Sequence, residues 1–103
     1  GRDAEAIVAL REAVRLEPAL AAAHYNLGVV LARTGAHVDA IAALRAAVRG
    51  WNEDADAHYA LGALLAGRGA DDDAAAHLRR ALALRPGWPE AEAALKRVEA
   101  KRP

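Results

Sequence analysis

Residues 21–54 and 55–88, set one above the other without a gap, are identical at sixteen of 34 positions. His24-Tyr25 falls on His58-Tyr59, Leu27-Gly28 on Leu61-Gly62, Leu31 on Leu65, Gly35 on Gly69, Leu44 on Leu78 and Ala47 on Ala81. A further shift by the same period sets Gly1, Ala6, Ile7, Leu10, Arg11, Ala13 and Val14 on the second half of the unit. A chain with this register has to fold as a repeated supersecondary unit that buries its apolar face against neighbouring copies.

Each unit reads as two helices. Ala40, Ile41, Leu44, Ala47 and Val48 recur at the spacing of one helical face, as do Ala6, Ile7, Leu10, Ala13 and Val14, and Ala74, Ala75, Leu78, Ala81 and Leu82. Gly35 and Gly69 end the first helices, where a left-handed residue is wanted and glycine supplies it without a Cβ clash. Pro18 and Pro86 stop the second helices because proline cannot extend the hydrogen-bond ladder, and Asn52 is a weaker stop in the middle unit. These signals predict helices over 3–16, 20–34, 37–49, 54–67, 71–84 and 89–101. Composition agrees. Thirty of the 103 residues are alanine, with no Phe, Met or Cys, which favours helices that approach closely and disfavours a sheet.

A 34-residue pair of helices with an early Leu-Gly, a glycine turn, an Ala-x-x-x-Leu-x-x-Ala face and a closing proline resembles the tetratricopeptide repeat. The likeness runs over essentially the whole chain, with His24 and His58 where the family often carries tryptophan. It implies an all-α fold, a right-handed α-solenoid of antiparallel helix pairs with about six helices. The expected segments are the second helix of an incomplete repeat at 1–20, complete repeats at 21–54 and 55–88, and a capping helix at 89–103. Gly28 and Gly62 would let the helices of a unit touch against Ala40 and Ala74.

The resemblance further implies that the first helices line a concave groove that binds peptides. The groove residues would be Ala22, Tyr25, Asn26, Val29 and Arg33, then Asp56, Tyr59, Ala60 and Ala63, then Glu90, Ala93, Ala94 and Arg97. Tyr25 and Tyr59 lead this set, because tyrosine offers contact area and a hydroxyl at low entropy cost, and Asn26 can pair with a peptide backbone. One subtype of the family clamps a terminal carboxylate with lysine, arginine and asparagine. Only Asn26 agrees with that pattern, so the expected partner is a neutral or partly apolar peptide.

Other features have simpler accounts. His24 and His58 stand one unit apart, and equivalent side chains of stacked helices are about 8–10 Å apart, too far to share a zinc ion. His37 and His77 read as surface or helix-start residues. Asp71, Asp72 and Asp73, like Glu53, Asp54 and Asp56, begin helices, where acids cap N–H groups and meet the positive dipole end. Arg15, Arg33, Arg49, Arg68 and Arg85 cluster at helix ends as their complement, while Arg11, Arg45 and Arg79 form an outward column that offers a face to an anionic partner. Trp51 and Trp88 fall at junctions and are expected to plug contacts between units.

Catalysis is not supported: there is no cysteine or serine, and Thr34 is the sole hydroxyl besides the tyrosines. No phosphate loop is present, and no cofactor is expected. Fourteen basic residues balance fourteen acidic ones, which disfavours nucleic-acid and anionic-membrane partners, and the register excludes a helical RNA-reading repeat of 35 residues. No run spans a bilayer, and no secretory signal is visible, so a soluble, cytoplasmic protein is expected. Arginine outnumbers lysine 12 to 2, a bias expected of a GC-rich bacterial genome.

The two ends differ. After Trp88, the positions equivalent to His58, Gly62 and Leu65 become Glu92, Lys96 and Glu99, as in a polar cap, while Leu95 and Val98 pack backward. At the other end Ile7, Leu10 and Val14 lack their partner helix, so upstream repeats or a second copy are expected to cover them. The leading function is a non-catalytic scaffold for protein–protein interaction. The alternatives are a self-assembly module using that uncovered helix, or a regulatory appendage of an enzyme elsewhere.

Overall fold

The computed structural model describes residues 2–101. Gly1, with its match to the turn glycines, and the last two residues of the expected 89–103 segment lie outside the described residues. Six helices follow one another: α1 (Arg2–Leu16), α2 (Ala21–Arg33), α3 (His37–Gly50), α4 (Ala55–Gly67), α5 (Asp71–Leu84) and α6 (Pro89–Ala100). Their ends fall within one residue of the expected ones, and no strand occurs among the described residues. The chain divides between Asn52 and Glu53 into two compact units.

In the first unit α2 packs on α3 and α1 on α2. The approach of α2 to α3 depends on Gly28. A Cβ there would meet Leu44 Cγ at 2.6 Å and the Ala40 carbonyl oxygen at 3.3 Å, so the helix that glycine admits is held mainly by a leucine side chain as well as by Ala40. Leu44 is fully buried, a burial that stabilises by roughly 1.5–3 kcal/mol. The turn closes as its sequence predicts. Gly35 takes φ +89°, and Ala36 N–H donates to the Leu31 carbonyl at 2.9 Å, the six-to-one bond of a glycine-terminated helix. α1 contributes no buried residue. Ile7, Leu10 and Val14 are half-buried, and Val8 and Leu16 are exposed.

The second unit repeats this pairing with α4 on α5 and adds α6 against both. A Cβ at Gly62 would meet Leu78 Cγ at 2.9 Å and the Ala74 carbonyl oxygen at 3.2 Å. Gly69 takes φ +79°, and Ala70 N–H donates to the Leu65 carbonyl at 2.9 Å. Pro89 opens α6 at its first turn, where the missing N–H costs nothing. Ala91, Ala94 and Val98 are buried while Glu92, Lys96 and Glu99 are exposed.

Helix starts correct one expectation. Asp54 caps α4 through a bond from Ala57 N–H at 2.9 Å, but α5 is preceded by Ala70 and has no side-chain cap. Asp71, Asp72 and Asp73 all lie inside the first turn. Their carboxylates therefore meet the positive dipole end, and the capping role assigned to them fails because the chain enters α5 one residue too early for it.

Candidate functional site

Tyr59 is the best-placed of the expected groove residues. It projects from α4, half-buried, and its ring lies 4.6 Å from that of Trp88, tilted by 37°. The Arg85 guanidinium sits 4.3 Å over the Trp88 ring and donates from Nη1 to Asp56 Oδ1 at 3.1 Å. A cation over an indole is attracted by the ring quadrupole. One row of contacts thus runs Asp56, Arg85, Trp88, Tyr59 and fixes the phenol without burying it.

Beside that phenol is a cavity of about 260 Å³, lined among others by Tyr59, Ala63, Ala94, Val98, Arg97 and Lys101. Four expected groove residues, Tyr59, Ala63, Ala94 and Arg97, meet there. Ala94 is buried and contributes its floor. Ala60 is half-buried and Ala93 exposed on these same helices, as is Glu90 at the start of α6.

In the first unit Tyr25 is likewise half-buried, with its ring 6.1 Å from that of Trp51 at 45°. Asn26 is exposed, and Ala22 and Val29 are half-buried. Arg33 donates from Nη2 to Asp3 Oδ1 at 2.8 Å and from Nε to Oδ2 at 3.3 Å, so its charge is met by α1. That hydrogen bond holds the Asp3 carboxyl below its ordinary range, and the bond from Arg15 does the same for Glu12. Both carboxylates are exposed. A hollow of about 280 Å³ in this unit is lined by Val14, His24, Leu27 and Leu31, with Arg11 and Asp39, on residues other than Tyr25.

The tryptophans have a partner that their position at the junctions does not predict. Trp51 is 37% exposed, and each ring braces the tyrosine of its own unit. Sequence reasoning missed this because the two pairs are out of register: Trp51 closes α3 whereas Trp88 precedes α6.

One histidine differs from its expected placement. His24 Nε2 donates to the Pro18 carbonyl at 2.8 Å. His58 is buried, and its Nδ1 lies 3.0 Å from Nδ1 of His77. The ring centroids are 5.3 Å apart, the nitrogen separation plus two ring radii. The imidazoles therefore meet edge to edge, one nitrogen donating and the other accepting, rather than face to face. His77, expected at the surface, is half-buried as the partner of His58. His37 does begin α3, exposed. Among the described residues no three His, Asp or Glu side chains form a metal-binding group.

The arginine column is largely occupied. Arg11 lies 3.8 Å from Asp39, and Arg79 donates to Glu99 at 2.8 Å. Arg45 is half-buried with a partner of its own. An anion would have to displace these acids, which weakens the column as a docking face.

Family models match most of the chain: one described as TPR repeat over residues 1–35, another as Tetratricopeptide repeat over residues 39–89. Among solved structures the crystal structure of MamA is similar, with 28% identity and a TM-score of 0.91 over 97% of this chain. The match covers 58% of that MamA chain, so this chain spans well under two thirds of its relative. The Arabidopsis OM64 TPR domain is similar in fold, with 23% identity and a TM-score of 0.90, over 98% of this chain and 84% of that one. No curated protein matches. The likeness is to an all-α solenoid fold that generally mediates protein–protein interaction and is typically non-catalytic. Among the described residues no helix is long and apolar enough to cross a membrane.

Proposed function

The chain belongs to the tetratricopeptide repeat family, and on that premise we propose that it is a non-catalytic interaction module that holds a peptide segment against its first helices. The observation that carries this reading is the cavity of the second unit, which gathers Tyr59, Ala63 and Arg97 around a phenol braced by Trp88. A braced tyrosine loses little further freedom on binding, which lowers the entropic cost of the contact. The volume of about 260 Å³ falls below the ~300–1,000 Å³ of sites for drug-sized molecules. It suits one or two side chains of an extended peptide. Tyr25, Asn26 and Val29 offer a second, shallower contact surface on α2, and Asn26 is free in shape to pair with a backbone. Arg33 and Asp56 play a supporting part, since each is engaged by a partner within its unit.

The test is capture of short N-acetylated, C-amidated peptides from a random library by the full chain. Replacing Tyr25→Ala together with Tyr59→Ala is expected to weaken the captured sequences by roughly tenfold or more, with helicity by circular dichroism unchanged. Undiminished capture by the double variant would mean that the tyrosine surfaces are not where peptides bind.

A further inference from the structure

The cavity beside Tyr59 has an uneven rim. Its walls are aliphatic, from Ala63, Ala66, Ala94 and Val98, and two cations, Arg97 and Lys101, stand on one side. They stand four residues apart, Arg97 in the last turn of α6 and Lys101 at its C-cap, a spacing at which like charges repel. Within α6 the residues one turn N-terminal to Arg97 on this face are Ala93 and Ala94, and the face's one carboxylate, Glu90, stands a further turn away at the helix start. Five other cations have a carboxylate partner: Arg11 has Asp39, Arg15 has Glu12, Arg33 has Asp3, Arg79 has Glu99 and Arg85 has Asp56. Glu99, the acid nearest in sequence, is turned to Arg79. Among the described residues neither Arg97 nor Lys101 forms an ion pair, and the Tyr59 hydroxyl forms no hydrogen bond.

The negative dipole end of α6 favours a cation in its last turn. It does not require both cations to face an aliphatic cavity, because the same benefit is available on any side of the helix. From this juxtaposition we infer that the second unit recognises an acidic peptide segment, an aliphatic side chain entering the cavity while an adjacent Asp or Glu side chain pairs with Arg97 and Lys101. The inference rests on the peptide-binding reading above and gives that site its ligand chemistry. It also revises the expectation of a neutral partner, which came from counting small residues along the first helices. The guanidinium can hold a carboxylate through two parallel N–H donors, and the ammonium of Lys101 and the phenol add donors around the same oxygens.

The library experiment decides this separately from the parent reading. Peptides captured by the full chain are sequenced, and every member ends in an amide, so that only side-chain carboxylates are available. The expected result is enrichment of Asp or Glu next to Leu, Ile or Val. Charge reversal, Arg97→Glu with Lys101→Glu, is expected to turn the preference toward basic peptides and to weaken the acidic ones by roughly tenfold. The milder pair Arg97→Gln with Lys101→Gln covers any loss of helix at the end of α6, and is expected to weaken acidic peptides while removing their salt dependence. If Tyr59→Ala abolishes capture but the selected sequences are neutral and unaffected by either pair, the carboxylate assignment is wrong and the groove reading stands. An acid preference seen only with free-acid peptides overturns the side-chain assignment in favour of a chain terminus. Capture of no peptide at all removes both readings.

Discussion

The two units carry the same repeat and complete it differently. In the first, His24 reaches a backbone carbonyl at Pro18, Leu20 precedes α2 and gives it no side-chain cap, and the Tyr25 ring stands 6.1 Å from a Trp that is 37% exposed. In the second, the equivalent His58 is buried against another imidazole, Asp54 caps α4, and Tyr59 lies 4.6 Å from a Trp covered by a guanidinium. The repeat dictates which helices meet and where the turn falls. It leaves the polar side chains at helix ends to be satisfied by whatever the local sequence supplies. A shared register therefore produces a shared scaffold and two unlike surfaces.

The comparison is sharpest at the helix contact. Gly28→Ala would set a Cβ 2.6 Å from Leu44 Cγ, against 2.9 Å from Leu78 Cγ for Gly62→Ala. Overpacking of this kind costs about 1–3 kcal/mol, offset by the roughly 1 kcal/mol that alanine gains over glycine in a helix. Urea melts are expected to show a larger loss for Gly28→Ala than for Gly62→Ala, and the reverse order would mean that Leu44 relaxes more readily than Leu78.

A smaller effect separates the helix starts. Asp54→Ala removes the bond from Ala57 N–H and is expected to cost about 1 kcal/mol. Leu20→Asp, at the uncapped equivalent, is expected to raise the melting temperature, since Leu20 is 40% exposed and has extended backbone angles suited to a cap. Equal and opposite shifts in the two variants would make the cap the whole difference between these starts.

The smallest effect is electrostatic and belongs to the first unit, where Asp3 and Glu12 are held below their ordinary range by bonds from Arg33 and Arg15. A carboxyl lowered in the folded state stabilises it above its ordinary value near pH 4 and loses that contribution as pH falls through the lowered one. Carboxyl NMR titration should place both midpoints below ordinary values at low ionic strength. High salt should return them toward those values, because both pairs are exposed and screened. Midpoints at ordinary values in low salt would mean that neither pair forms in solution.

What could be read from the chain follows from how local each signal is. Helix spans, glycine turns and the polar outer face of α6 depend on residues within one or two turns of each other, and periodicity exposes them. The pairings that complete the site link more distant positions. Asp3 meets Arg33, His58 meets His77, and Asp56 meets Arg85, each across a helix pair whose azimuth no periodicity specifies. The tyrosines are legible because they repeat. Their tryptophan partners are not, because Trp51 and Trp88 are 37 residues apart and break the 34-residue register. Lys101 carries no repeat signal, because Gly67 and Arg33 stand at its equivalent positions.

The aromatic pairs give the molecule an optical property. Its only two indoles are Trp51 and Trp88, one in each unit, each beside that unit's only phenol. Each half therefore contains its own donor and emitter for short-range energy transfer. Trp51 is 37% exposed and Trp88 lies under the Arg85 guanidinium, so the two halves are expected to differ in emission colour and in quenching without any added label.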